Sequence, residues 1–321
     1  MPKFMIEQKT DVPLLVSSRS YEDRSLGYVN VIREGGRWRL WYETVDHTYK
    51  TDADIYLCYA ESSDGVKWER PDVGRVEFEG NRRNNILFTP ADGGGHGHFV
   101  FVDEQAPAGE RYKIVLSRWS EGIGWIVFGG TSPDGLAWTI FNEPILKLNS
   151  DTQTVCFRDG GVYRMYVRMW SEGLFAGKRI VGYTESKDFR RFGEPAAILA
   201  PDAEDPPEFQ FYNSAATKLK DDLYVMFISV FDTKQDLVRL HGAWSRDGRR
   251  FQRLGRQPIL GNGSGFDSMG LYVGPGGVPG PDKDSWWFYY IGTASHHDQH
   301  LPDTAPPNGG VGRFLLRVTG G

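Results

Sequence analysis

Carboxylates and histidines recur in this sequence just ahead of strand-like apolar runs. They stand at Tyr21-Glu22-Asp23-Arg24, His96-Gly97-His98, Asp151-Thr152-Gln153, Glu208-Phe209-Gln210-Phe211-Tyr212-Asn213 and Phe266-Asp267-Ser268-Met269. Four of the five clusters carry a carboxylate and the other carries two histidines. A single Asp or Glu before a strand is most often a turn cap, because its side chain accepts hydrogen bonds from nearby backbone N–H groups. A set at corresponding places is different. If the runs that follow lie around one axis, the clusters converge on one mouth, and crowding pushes carboxylate pKa values apart until one keeps its proton near neutral pH. Cleavage of a glycosidic bond needs that division of roles: one carboxyl protonates the leaving oxygen while another activates water or attacks the anomeric carbon.

An internal repeat supplies the elements that bring the clusters together. Tyr59-Ala60-Glu61-Ser62-Ser63-Asp64-Gly65-Val66-Lys67-Trp68 returns as Phe128-Gly129-Gly130-Thr131-Ser132-Pro133-Asp134-Gly135-Leu136-Ala137-Trp138 and as Ala243-Trp244-Ser245-Arg246-Asp247-Gly248-Arg249-Arg250-Phe251. A weaker copy runs from Tyr183 through Ser186-Lys187-Asp188 to Phe192. Each copy reads as a strand, a turn able to take positive φ and an aromatic folding back, which is a β-hairpin. Two more strand-like runs precede each hairpin, for example Gly27 to Ile32 and Trp38 to Glu43. A fifth copy begins at Gly270 and runs through Trp286-Trp287-Phe288-Tyr289-Tyr290-Ile291 to Arg317 without an Asp-Gly hairpin, and the segment before Tyr21 could supply its missing strand. The expected fold is all-β, a five-bladed β-propeller of four-stranded antiparallel blades near residues 21-85, 96-148, 151-200, 208-261 and 267-318, with 1-321 as one catalytic domain. A β-sandwich is the competing architecture, and the blade-length period argues against it.

Composition narrows the partners. The 321 residues are 40% hydrophobic and 14% aromatic, with 10 Trp, 15 Tyr and 19 Phe, which suits packed sheets and sugar-stacking pockets. A formal net charge of -5 offers no basic stripe for nucleic acid or an anionic membrane. Cys58 and Cys156 lie inside apolar runs and read as buried free thiols. The N-terminus, Met1-Pro2-Lys3-Phe4-Met5-Ile6-Glu7, lacks a secretory apolar region, so a cytoplasmic location is expected. No phosphate-binding or dinucleotide loop sits between a strand and a helix, so no cofactor is implied, and Gly93-Gly94-Gly95 reads as a turn between blades.

The motifs Leu40-Trp41-Tyr42, Tyr59 to Trp68, Asn84-Asn85-Ile86, Arg111-Tyr112-Lys113 and Asp151 to Arg168 give the chain a resemblance to the five-bladed propeller glycosidases. That group includes arabinanases, β-xylosidases, invertases and levansucrases, and the chain resembles more closely still poorly characterised bacterial proteins related to them. The resemblance covers nearly the whole chain. It implies three shared carboxylates, with a middle-blade stabiliser at Asp151, a general acid at Glu208, and a base or nucleophile on blade one at Glu22 or Asp23, Glu22 being preferred. No Asn-Asp-Pro motif marks that blade-one position, and Asp267 is a further candidate for the base. His98 resembles a central histidine near a channel ion in some arabinanases, though a satisfied inner-strand histidine is the commoner case.

Around the carboxylates, Arg168 could bond sugar hydroxyls, Trp170 and Tyr212 could stack on a sugar face, and Asn213 follows as a polar neighbour; Arg168 and Trp170 also suit an ion pair and plain packing. His296-His297-Asp298-Gln299-His300 has metal-ligating types without regular spacing, so no metal is expected. Ala203 to Glu208 and Leu301 to Asn308 read as long loops over the channel mouth. Three functions remain open: hydrolysis of a small glycoside, phosphorolysis with His96, His98 and Arg168 holding phosphate, or a non-catalytic sugar-binding propeller. The sequence leaves oligomeric state open.

Overall fold

The computed structural model describes residues 2–92, 95–297 and 308–320. Its repeat is built on one local device. Ser62 Oγ accepts from the N–H groups of Asp64 and Gly65 and donates to Asp64 Oδ1, which in turn accepts from Val66 and Lys67 N–H. Ser132 with Asp134 and Ser245 with Asp247 repeat the pattern. Such side-chain capping satisfies backbone donors that a tight turn leaves over. Gly65, Gly135 and Gly248 take the positive φ the turn requires, at 71°, 75° and 70°. Phe189 occupies that place in blade three at φ 60°, which is why its copy of the repeat is weak.

Each turn also latches onto the blade before it. The carbonyl of Gly135 accepts from Trp41 Nε1 at 2.9 Å, that of Gly248 from the Tyr166 hydroxyl at 2.7 Å, and that of Gly65 from the Tyr289 hydroxyl at 2.7 Å. Phe189 packs instead against Phe101 and Tyr163, with ring centroids 5.5 and 5.2 Å away.

Five antiparallel sheets result. Blade one is β2 (Ser25–Glu34), β3 (Arg37–Val45), β4 (Tyr56–Ser62) and β5 (Ile86–Phe88). Blade two is β6 (His96–Val102), β7 (Tyr112–Ser120), β8 (Gly124–Ser132) and β9 (Thr139–Ile140). Blade three is β10 (Val155–Asp159), β11 (Val162–Trp170), β12 (Arg179–Ser186) and β13 (Ala196–Leu199), and blade four is β14 (Phe209–Lys220), β15 (Leu223–Asp232), β16 (Leu237–Ser245) and β17 (Gln252–Arg253). Blade five comprises β18 (Gly270–Val273) and β19 (Val278–Pro279), both paired with β20 (Ser285–Thr293), then β21 (Gly310–Thr319) and β1 (Lys3–Lys9). The N-terminal segment thus supplies the strand the fifth blade lacks: Lys3 lies opposite Thr319 and Lys9 opposite Phe314. Pairing β1 with β21 covers the edge of β21 and closes the ring, with β1 as the outer strand of the blade. Cys58 and Cys156 are free and buried.

Apolar faces of neighbouring blades pack on each other, as where Phe227 of blade four meets Phe288 and Phe314 of blade five at 4.7 and 5.2 Å. Three inner strands shift register near their starts, between Leu26 and Val29, His96 and Phe99, and Phe211 and Asn213. Bulges of this kind re-aim side chains, and here they lie where the blade openings meet.

Candidate active site at the channel mouth

The inner strands open onto a cavity of about 280 Å³ lined by Tyr28, Glu43, His96, Tyr212 and Tyr272, with Tyr49 and Asp52 from the β3–β4 connection and His296 and His297 after β20. Its wall combines tyrosine rings with charged groups held by partners behind them.

Two charged units border it. In the first, Glu43 is buried on β3 and its Oε1 accepts from the His98 backbone N–H at 2.7 Å and lies 2.7 Å from His98 Nδ1. Its Oε2 lies 3.2 Å from His96 Nδ1. Burial works against the charged carboxylate, yet the two imidazoles outweigh it and hold Glu43 at about 2. Burial likewise disfavours imidazolium, and the Glu43 charge overrides it, pushing His96 up to about 9.

In the second unit, Arg168 is buried on β11. It donates to the Tyr212 carbonyl from Nε at 2.8 Å, lies over the Tyr212 ring at 4.1 Å, and sets Nη1 3.0 Å from Asp151 Oδ1. Burial is the largest single effect and raises the Asp151 carboxyl, but the Arg168 charge, hydrogen bonds from the backbone and Arg168, and the Arg179 charge together bring it below the ordinary Asp value. The Asp151 charge also acts on His96, so the two units share one field. Tyr28 bridges them, hydrogen-bonded to Thr152 Oγ1 at 2.6 Å with its ring 5.3 Å from His96. Burial holds that phenol well above its usual range.

The expected site residues divide accordingly. Asp151, Arg168 and Tyr212 come together, but of the three only Tyr212 lines the cavity; Arg168 packs on its ring and Asp151 pairs with Arg168. His98 is buried as the seat of Glu43. Trp170 stacks with Arg179 at 4.5 Å on the blade-three rim, and Arg179 also lies 5.2 Å from the Tyr212 ring. Asn213 is buried on β14 with neither side-chain amide atom hydrogen-bonded. Glu208 is half-buried just before β14, its carbonyl accepting from Thr233, and its carboxylate makes no hydrogen bond or ion pair among the described residues.

Glu22 lies elsewhere. It is fully buried beneath blade one, gripped by Arg70 at 2.9 Å through both oxygens and by the Tyr42 hydroxyl at 2.5 Å. That is the setting of a structural ion pair, off the cavity wall. Asp23 is half-buried and accepts from the His47 backbone N–H at 2.8 Å. Asp267 is buried against Lys9 at 2.5 Å and Tyr290 at 2.8 Å, where it ties β1 to blade five. Gly93, Gly94, Asp298, Gln299, His300 and residues 301–307 lie outside the described residues, and among those described no group of three His, Cys, Asp or Glu is placed to hold a metal ion.

Glu43 and Tyr28 were missed because blade openings alone were read. The signal was present: Arg168 follows Tyr166-Val167 near the end of β11, and Glu43 follows Trp41-Tyr42 at the corresponding place in β3.

No family model matches the chain. Two uncharacterised Mycobacterium tuberculosis proteins match 28% over 109 residues and 30% over 110, which is 33% of this chain and 35% of each relative. The match therefore spans about a third of the relatives' own length. Among solved structures, a glycoside hydrolase aligns at TM-score 0.68 and 15% identity over 99% of this chain and 93% of its own. The α-L-arabinofuranosidase of Podospora anserina, in complex with cellotriose, aligns at TM-score 0.62 and 12% identity over 96% and 95%. The fold is that of the five-bladed β-propeller glycoside hydrolases. A third structure comes from a family of mannoside phosphorylases that contains glycoside hydrolases, at TM-score 0.64 and 16% identity over 97% and 93%. Likeness at these identities fixes the fold, and the chemistry must be argued from residues. Among the described residues no helix is long and apolar enough to cross a membrane.

Proposed function

We propose that the chain cleaves the glycosidic bond of a small carbohydrate in the cavity at the channel mouth, by hydrolysis. The observation that carries this reading is Asp151: a carboxylate at a blade opening, kept ionised by buried Arg168, which also fixes the Tyr212 ring in the cavity wall. A cavity of about 280 Å³ falls just below the 300 to 1,000 Å³ common for drug-sized ligands, which suits a sugar ring with its immediate substituent.

Asp151 then stabilises the oxocarbenium-like transition state or acts as base, since its ionised form is favoured. Glu208, half-buried at the opening of blade four and without a carboxylate partner among the described residues, takes the part of proton donor in this reading. Tyr212 and Tyr28 offer ring and hydroxyl to the sugar, and Asn213 and Trp170 stand beside them. Glu22 and Asp267 we assign to the fold. The substrate is a carbohydrate, with no nucleic acid or membrane partner.

A second reading has its own support. His96, held as imidazolium by Glu43, stands in a wall that also contains Arg24, His296 and His297, groups suited to an anion in phosphorolysis. A panel of aryl glycosides, each with and without inorganic phosphate, separates the readings. Hydrolysis predicts nitrophenol release at the same rate in both arms; release that requires phosphate transfers the assignment to a phosphorylase. A silent panel together with sugar binding points to a non-catalytic propeller.

A further inference from the structure

Four large apolar side chains stand open to solvent on two neighbouring hairpins. Trp119 (59% exposed) and Ile123 belong to the β7–β8 hairpin, and Leu174 (51%) and Phe175 (43%) to the β11–β12 connection. Both join second to third strands of their blades, as the β3–β4 connection that lines the cavity does, so they rise on the same face. They are linked to the cavity at each end. From His96 the path runs to Trp125 at 6.2 Å and on to Trp119 at 5.9 Å. From Tyr212 it runs through Arg179 to Trp170 and then to Phe175 at 5.7 Å. Leu174 closes the gap, since a Cβ on Gly124 would stand 3.2 Å from its methyl.

Phe175 is held in left-handed backbone at φ 54°. That conformation is unfavourable for an aromatic residue, and such strain persists where the surroundings or a function require it. Here it accompanies an exposed ring on the rim of the cavity.

We propose that this aromatic arc is a second carbohydrate subsite, on which the part of a sugar chain lying outside the cavity stacks. The proposal rests on the glycosidic reading above. Sugar rings present flat C–H faces edged with hydroxyls, and the arc offers ring faces interrupted by polar groups such as Glu172 and Arg179. Four side chains fall far short of the roughly 20 to 30 residues a side that a stable protein interface uses. Glu121 and Glu172 on the same hairpins oppose an anionic lipid surface. The substrate class that follows is an oligosaccharide cleaved near one end, with the remaining units on the arc.

The test is binding, by calorimetry, of disaccharides and hexasaccharides of xylose, arabinofuranose and mannose to the full chain, its Asp151→Asn variant and the double variant Trp119→Ala, Phe175→Ala. In at least one series the hexasaccharide is expected to bind about tenfold more tightly than the disaccharide, and the double variant to lose most of that advantage. Trp119→Phe keeps a stacking ring and is expected to retain it, which separates stacking from misfolding. A hexasaccharide no tighter than the disaccharide in every series, or an advantage that survives the double substitution, overturns the proposal. So does self-association in sedimentation velocity that the double variant abolishes, which would make the arc an interface between copies. Turnover of aryl glycosides without a length advantage sinks the arc alone, and a length advantage without turnover sinks the glycosidase reading alone.

Discussion

Asp151 and Arg168 form an ion pair; under the proposed function the smaller group does chemistry and the larger holds it. Because Arg168 lowers the Asp151 pKa, Asp151 stays ionised as pH falls until below the ordinary Asp value. The acid limb of the pH-rate profile is therefore expected below the ordinary Asp range, and Arg168→Met, which leaves only a backbone hydrogen bond and the Arg179 charge against burial, should move that limb up. The pH dependence of kcat/KM in both proteins checks this, and an unmoved limb would mean that Asp151 does not control it. Glu43 and His96 carry a second pH signature. His96, raised from 6.5 to about 9, contributes stability that is complete below 6.5 and lost as pH rises through 9. Glu43, depressed from 4.5 to about 2, contributes stability present above 4.5 and lost as pH falls through 2. The urea midpoint should thus be highest between these limits, and Glu43→Gln should remove the alkaline loss and bring the His96 proton resonance titration down from about 9. Glu22 behaves differently: breaking its buried pair with Arg70 by Glu22→Gln should cost about 3 to 5 kcal/mol, read as a lower Tm. A catalytic Glu22 would instead abolish turnover with Tm unmoved.

Strands and turns were the most legible level. The Ser-x-Asp-Gly hairpins could be found because a tight turn needs both positive φ and side-chain caps, and few residue types supply them. Blade boundaries were close, though blade one runs to Phe88 rather than 85, because β5 follows a long connection with little periodicity. The latches could not be read, since they join Gly65 to Tyr289 across most of the chain length. At Gly65 a Cβ would stand 2.5 Å from the Tyr289 hydroxyl and 2.8 Å from the Trp38 ring. Gly65→Ala is therefore expected to destabilise by about 2 kcal/mol or more, from backbone strain and overpacking together. Denaturant unfolding measures it, and a change within experimental error would show that the blade-five to blade-one contact adjusts freely. Closure by β1 makes a further demand on one residue. Lys9→Met leaves the buried Asp267 carboxylate with only Tyr290 among the described residues, and the fold should weaken accordingly.

Across the whole molecule, the ring explains why the site was only half legible. Blade openings do converge, which is how Tyr212 and His96 of the cavity wall could be named from sequence, but inner strands shift register near their starts and second strands add residues that the openings do not announce. Glu43 reaches the cavity and Arg168 the Tyr212 ring behind its wall from second strands, while Glu22 pairs with Arg70 and Asp267 with Lys9, away from the lining. Sequence position alone does not distinguish a carboxylate that faces the cavity from one that closes a blade; its partner does. The central claim is that Asp151 serves glycosidic cleavage in this cavity. The most direct measurement is nitrophenol release from an aryl glycoside panel by the natural protein and by Asp151→Asn at equal folded concentration. Turnover that falls by about 10² or more in the variant is expected; turnover that persists in Asp151→Asn would contradict the account.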